Sequence, residues 1–148
     1  MVPTLSGRIQ TRLFLLAVIG IPWTLLISLV GPRAGGAHLS QVFEATYWVL
    51  AEVALVGAVV WEPLYHFSMQ FRWEKDWPIM FSLLQGIPEG ILAYVLLRNI
   101  GPAPVPPAVT TATFLTQFIP LWVFVWLVAI GPMRVIVPRW RFRGGRIA

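Results

Sequence analysis

Residues 61–90 read WEPLYHFSMQFRWEKDWPIMFSLLQGIPEG, and the reading of this stretch decides the fold. Its middle, Arg72-Trp73-Glu74-Lys75-Asp76-Trp77, is the only dense charge cluster that contains both signs. Apolar runs long enough to cross a bilayer flank it, with Glu52 deep inside the run before and Glu89 deep inside the run after. The pattern is that of a membrane hairpin, in which a water-facing turn with an aromatic collar joins two spanning helices.

Composition points the same way. Of 148 residues, 57% are hydrophobic and only 11% charged, and mean hydropathy is +0.74. A soluble domain of this length would be left with large exposed apolar patches, whereas in a bilayer lipid solvates the outward faces. Thirteen Pro and twelve Gly are tolerable in membrane helices, where neighbours and ordered water satisfy freed backbone groups. The absence of cysteine excludes disulfides, thiol nucleophiles and Cys-ligated metals. Ten of the eleven basic residues are Arg, a bias that hints at a GC-rich bacterial genome. The net charge of +5 is distributed beside apolar runs instead of along one soluble face, so a membrane surface is expected as partner and nucleic acid is not.

Working outward, four apolar spans are expected at about residues 13–31, 42–65, 78–98 and 112–137, with a basic tail over 138–148. About 20 residues at 1.5 Å per residue cross the hydrocarbon core. The first span could also be a secretory signal peptide, but its apolar run exceeds the usual ~7–15 residues, which favours an uncleaved helix. Met1 to Arg12 reads as a short polar lead. The connection 99–111, with Pro at 102, 104, 106 and 107, cannot be helical. The expected fold is all-α, a single four-helix membrane domain in up-down order, multi-pass in the cell (inner) membrane. Charge orients it: Arg8, Arg12, Arg72, Lys75, Arg134, Arg139, Arg141, Arg143 and Arg146 fall on one side, and only Arg33 and Arg98 on the other. The positive-inside rule then puts both termini and the Arg72–Asp76 turn in the cytoplasm, with Trp73, Trp77, Trp140, Tyr65 and Phe142 at the inner interface.

Antiparallel threading brings Glu52 and Glu89 to similar depths on neighbouring helices. A charge at the bilayer centre costs at least ~2.5–3.5 kcal/mol on insertion scales, and no Lys or Arg lies in the central part of any expected span. Both carboxylates should therefore face the bundle interior. Ser82, Gln85, Gly86, Glu89 and Ala93 recur at spacings of three and four and form one polar, small-residue stripe. Gly86 and Gly90 form a G-x-x-x-G with Pro88 between them, so a freed carbonyl one turn earlier needs a donor. Glu44, Trp48 and Glu52 share a face of the second helix, and Ala54 and Ala58 are a small-residue pair. The second and third helices are expected to make the tightest contact. Thr24, Ser28, Thr113, Thr116 and Gln117 would complete a polar crevice in the half away from the termini, floored by Glu52 and Glu89, with the other half dry.

Two kinds of role fit such a crevice. Buried Glu residues are commonly hydrogen-bonding struts or mates of a basic residue on another subunit, and more rarely ion or proton sites. Glu52, Glu89, Gln85, Gln117, Glu44 and Thr24 are the candidate residues for ion or partner binding. Glu62 and His66, four apart, suit an interfacial ion pair better than a metal site, and no metal or cofactor is expected. The tail arginines Arg139, Arg141, Arg143 and Arg146 suit anionic lipid headgroups at ~1 kcal/mol each. The chain holds no G-x-S-x-G, H-E-x-x-H or P-loop motif, and no Asp lies within a span. The expectation is therefore a non-enzymatic accessory or scaffold subunit that meets other membrane subunits or copies of itself. The alternative is a small homo-oligomeric proton- or cation-coupled transporter or channel that uses Glu52 and Glu89.

Overall fold

The computed structural model describes residues 4–31, 38–71, 79–99 and 111–147, apart from the side chains of residues 140 and 141. The Arg72–Trp77 cluster, Arg33 and the Pro-dense connection lie outside these residues. Four helices are long and apolar enough to cross a membrane: α1 (Leu5–Val30), α2 (Leu39–Gln70), α3 (Ile79–Asn99) and α4 (Thr111–Ile136). The shortest has 21 residues, about 30 Å at 1.5 Å per residue. A short helix, α5 (Pro138–Phe142), follows α4.

The helices run alternately up and down. At one end the first residues of α1 and α3 meet the last of α2 and α4, as in the contacts from Arg8 to Glu62 and from Trp126 to Ile79. At the other end Tyr94 meets Thr111 at 2.7 Å. The first end, which carries both chain termini, is called the terminal end below.

Helix α1 begins earlier than expected. Thr4 Oγ1 accepts from the Gly7 N–H at 3.1 Å, an N-cap that satisfies one of the orphan donors of the first turn. The segment expected as a polar lead is thus helical, and Arg8 and Arg12 are carried on α1. Helix α2 likewise runs past residue 65 to Gln70.

Proline shapes all four long helices. Its ring crowds the carbonyl four residues back and it donates no hydrogen bond. Upstream of Pro22 the chain widens into a π-helical turn over Leu16–Gly20, and upstream of Pro63 it does the same over Gly57–Trp61. Ahead of Pro88, α3 breaks at Gln85 into Ile79–Leu84 and Gly86–Asn99. Indole groups of other helices meet carbonyls in these loosened regions: Trp122 Nε1 donates to Leu83 O at 3.0 Å, and Trp23 Nε1 donates to Gln117 O, just before Pro120, at 3.0 Å. A donor for the loosened turn of α3 was expected, and α4 supplies it.

The core joins Leu16 of α1, Val49, Leu50 and Val53 of α2, Ala93 and Leu97 of α3, and Phe114, Phe118 and Leu121 of α4. The most extensive contact is between α1 and α2, where Gly20 lies against Leu50. This corrects the expectation that α2 and α3 pack most tightly. The G-x-x-x-G of α3 faces α4 instead: a Cβ on Gly86 would meet the Trp122 indole, and one on Gly90 would lie 2.7 Å from Phe118 Cε1. Outward faces are apolar on every long helix, with Leu55, Ile91 and Ile119 all more than half exposed.

Gly90→Val should therefore push Phe118 out of its seat. An overpacking cost of about 1–3 kcal/mol is expected, measurable as a lowered unfolding midpoint in detergent, while the same substitution at Gly131, whose Cβ would meet only the Leu127 carbonyl at 3.2 Å, should cost less.

Candidate functional site: a buried ion network beside a cavity

Arg12 lies about two turns from the start of α1 and points into the bundle. Its Nη1 and Nη2 donate to the two oxygens of Glu89 on α3 at 2.6 and 2.8 Å, and its Nε donates to Glu62 of α2 at 2.8 Å. Arg8, one turn earlier, donates from Nε to the other Glu62 oxygen at 2.6 Å and from Nη1 to Met69 Sδ at 3.1 Å. Arg12, Glu62 and Glu89 are each less than one-tenth exposed. The planar guanidinium fork matches a carboxylate with two parallel bonds, so the Arg12–Glu89 pair is fixed in direction as well as in distance. Tyr65 is buried and interacts with Glu89.

Local structure makes room for the fork. A Cβ on Gly57 would collide with the Arg12 guanidinium, so the first residue of the π-helical turn in α2 has to be small. On α4, the Trp122 ring centroid lies 5.8 Å from Arg12 Cζ, within range of a cation–π contact. The Trp122 indole is itself anchored by its bond to Leu83. One side chain of α1 thus touches all three other helices.

Beside this network lies a cavity of about 450 Å³. Arg8, Arg12, Glu62, Gln85 and Arg134 give it polar walls toward the terminal end, while Leu16, Val53, Phe118 and Leu121 line it toward the bundle middle. The chain's tail borders its mouth. Gly144 and Gly145, both at positive φ, turn the backbone over the start of α1, where Thr4 N–H donates to Gly144 O at 2.8 Å and Thr11 Oγ1 to Gly145 O at 3.0 Å. Positive φ suits glycine at little cost, and Gly7 has no Cβ to block the tail's approach.

The sequence-stretch candidates separate in three dimensions. Glu89 is the partner of Arg12. Glu52 is 6% exposed, and neither of its oxygens has a hydrogen-bond partner among the described residues. Both carboxylates border a cleft of about 10 Å³ with Val56, Trp61 and Leu92, about the room one water needs. Gln85 borders the large cavity, and its Nε2 is also without a partner among the described residues. Thr24 and Gln117 lie in the other half and are sealed there: Gln117 Nε2 donates to Thr46 O at 2.7 Å and to Thr24 Oγ1 at 3.5 Å, and all three residues are at most 1% exposed. Glu44 is exposed on α2, because the face it shares with Glu52 by spacing drifts around the helix. Of the tail cations, Arg139, Arg143 and Arg146 are exposed, and the Arg141 side chain lies outside the description.

Three expectations are corrected. The polar cavity lies toward the terminal end, the half expected to be dry, and the half expected to hold a crevice is packed shut around Gln117. Glu89 also has a cation after all, supplied by the segment taken for a lead. Glu62 pairs with Arg8 and Arg12 and not with His66, whose Nδ1 has no partner among the described residues. The signal that identifies Arg8 and Arg12 was present: with Leu15 and Ile19 they recur every three or four residues, one helical face continued from the apolar run. Arg134, Trp122 and Trp126 carried no such signal. No protein family matches the chain, and no curated protein or solved structure is similar to it.

Removing one member of a buried ion pair leaves the other uncompensated, at a cost of about 3–5 kcal/mol. Arg12→Leu is expected to lower the unfolding midpoint in detergent accordingly, and Arg12→Leu with Glu89→Leu should recover part of the loss. Gly57→Ala should destabilise the parent chain by about 1–3 kcal/mol. In the Arg12→Leu background the same change should cost measurably less, since the collision is then gone; equal costs in both backgrounds would count against the packing described here.

Proposed function

We propose that this chain is a multi-pass protein of the cell (inner) membrane, with both termini cytoplasmic, that serves as a non-enzymatic accessory or scaffold subunit of a larger membrane assembly. The observation that carries the reading is the closed ion network. Arg8, Glu62, Arg12 and Glu89 neutralise one another across three helices, an arrangement suited to holding a bundle in one geometry. A coupling carboxylate has to release its partner in each cycle, and Glu89 is held by a guanidinium that keeps its proton under all ordinary conditions. Glu52, buried and without a partner among the described residues, is left as the acidic group that a basic side chain of another subunit would satisfy. The exposed apolar faces of the long helices suit contact with lipid or with another subunit's helices, and the exposed Arg139, Arg143 and Arg146 suit anionic headgroups at the cytoplasmic surface.

Purification in mild detergent should recover other membrane proteins in fixed ratio with the chain, and Glu52→Gln should weaken that association by about tenfold, the effect of about 1.4 kcal/mol. A chain that runs alone at every detergent strength would overturn the scaffold reading. Reporter tags on the N-terminus and in the Pro-dense connection should appear on opposite membrane faces.

The carboxylate of Glu52, which has no partner among the described residues, also supports a second reading, a small homo-oligomeric proton- or cation-coupled transporter or channel. Vesicles containing the purified chain decide between the two: under the scaffold reading they show no proton or cation flux above empty vesicles, and under the transport reading they show flux that Glu52→Gln abolishes.

A further inference from the structure

We infer that the 450 Å³ cavity is a binding site for one anionic amphiphile, with its head among Arg8, Arg134 and Gln85 and one alkyl chain directed toward Leu16, Val53 and Phe118. The volume lies within the ~300–1,000 Å³ typical of small-molecule sites. A cavity of this size has room for a small-molecule ligand. Its chemistry is graded along one direction. Arg8 and Arg134 stand toward the terminal end, and the wall becomes apolar by Leu16, about 12 Å further along α1. Among the described residues, three guanidinium groups (Arg8, Arg12 and Arg134) border the cavity or its network against two carboxylates (Glu62 and Glu89), an excess of one positive charge for a ligand to balance.

Gln85 supplies the second, independent observation. It is 9% exposed, its Nε2 has no partner among the described residues, and it borders this cavity. A buried donor left without an acceptor keeps the full cost of its lost hydration, so an oxygen placed there would be bound with gain. Ile79 and Ser82, of the half-helix ahead of the Gln85 break, also border the cavity, and that half-helix packs on α4 and has no buried residue. A head at the terminal end with its chain toward the bundle middle also has the orientation of a lipid in the leaflet at that end. The site therefore rests on the membrane reading, and it does not need the accessory role.

The shared ligand chemistry is an anionic oxygen head on an alkyl chain, which a phosphate lipid or a free fatty acid could supply. The test incubates the full chain with vesicles of equal parts dioleoyl-phosphatidylglycerol and dioleoyl-phosphatidylcholine, extracts it in dodecylmaltoside, and counts retained lipid by native mass spectrometry, with a parallel arm in which oleate is the only added amphiphile. The expected result is one anionic amphiphile per chain, phosphatidylglycerol if the source is a phospholipid and oleate alone if it is a fatty acid, with phosphatidylcholine not retained. Gln85→Leu and Arg134→Gln should each lower retention about tenfold, and Ala129→Trp, which fills the cavity, should abolish it. Arg139→Gln on the exposed tail should leave it unchanged, and helical content by circular dichroism identifies any variant that has failed to fold. Equal retention of the two phospholipids, or retention indifferent to all three cavity substitutions, would overturn the proposal. A chain that stays in solution without detergent would instead overturn the membrane reading, and the oleate arm would still judge the site.

Discussion

Arg12 is the constraint on which the rest of the structure depends. Four helices with apolar outer faces have little reason to choose one arrangement over another, since apolar contact is non-directional. A guanidinium inside the bundle removes that freedom. It must find carboxylates, it must find them in plane, and it cannot lose its charge. Glu89 takes one edge of the fork, Glu62 takes Nε, Gly57 gives clearance, and Trp122 covers a face. Rotating or sliding any of the four helices by a fraction of a turn breaks at least one of these contacts. A buried ion network is not by itself a source of great stability, because desolvation offsets much of the attraction. Its value here is in register.

The prolines and tryptophans serve the same end by different means. Pro22 and Pro63 each widen the helix just upstream into a π turn, and the second of these turns starts at Gly57, the residue against which Arg12 lies. Pro88 breaks α3 at Gln85, three residues from itself and four from Glu89. The backbone groups loosened by such breaks would be costly in an apolar setting, and Trp122 and Trp23 reach across from other helices to them. The indole suits this task, since it is a large apolar body with one donor at its edge.

The cavity follows from these same features. The break at Gln85 turns the first half of α3 away from the core, so that it packs on α4 and leaves space beside α1. The guanidiniums needed to neutralise Glu62 and Glu89 then border that space, and the glycines of the tail, folded over Gly7, bound its mouth. The other half of the bundle shows the opposite outcome with comparable polar content: Gln117, Thr24 and Thr46 satisfy one another across three helices, and no room is left between them.

Hydropathy and spacing alone were enough to determine that the chain is helical, that four segments are long and apolar enough to span a membrane, and that Glu89 and Gln85 face inward, because each of these is a local property of composition and period. Reading Arg8 and Arg12 as a lead failed because charge was weighed ahead of periodicity: the helical face they share with Leu15 was legible, but its partners lay 50 to 77 residues away. Which carboxylates Arg12 takes, why Glu52 has no partner among the described residues, and at which end the cavity opens were decided only by the tertiary structure. Those outcomes depend on how far each helix is rotated about its own axis, and that rotation is set by long-range contacts among side chains, which no local pattern encodes.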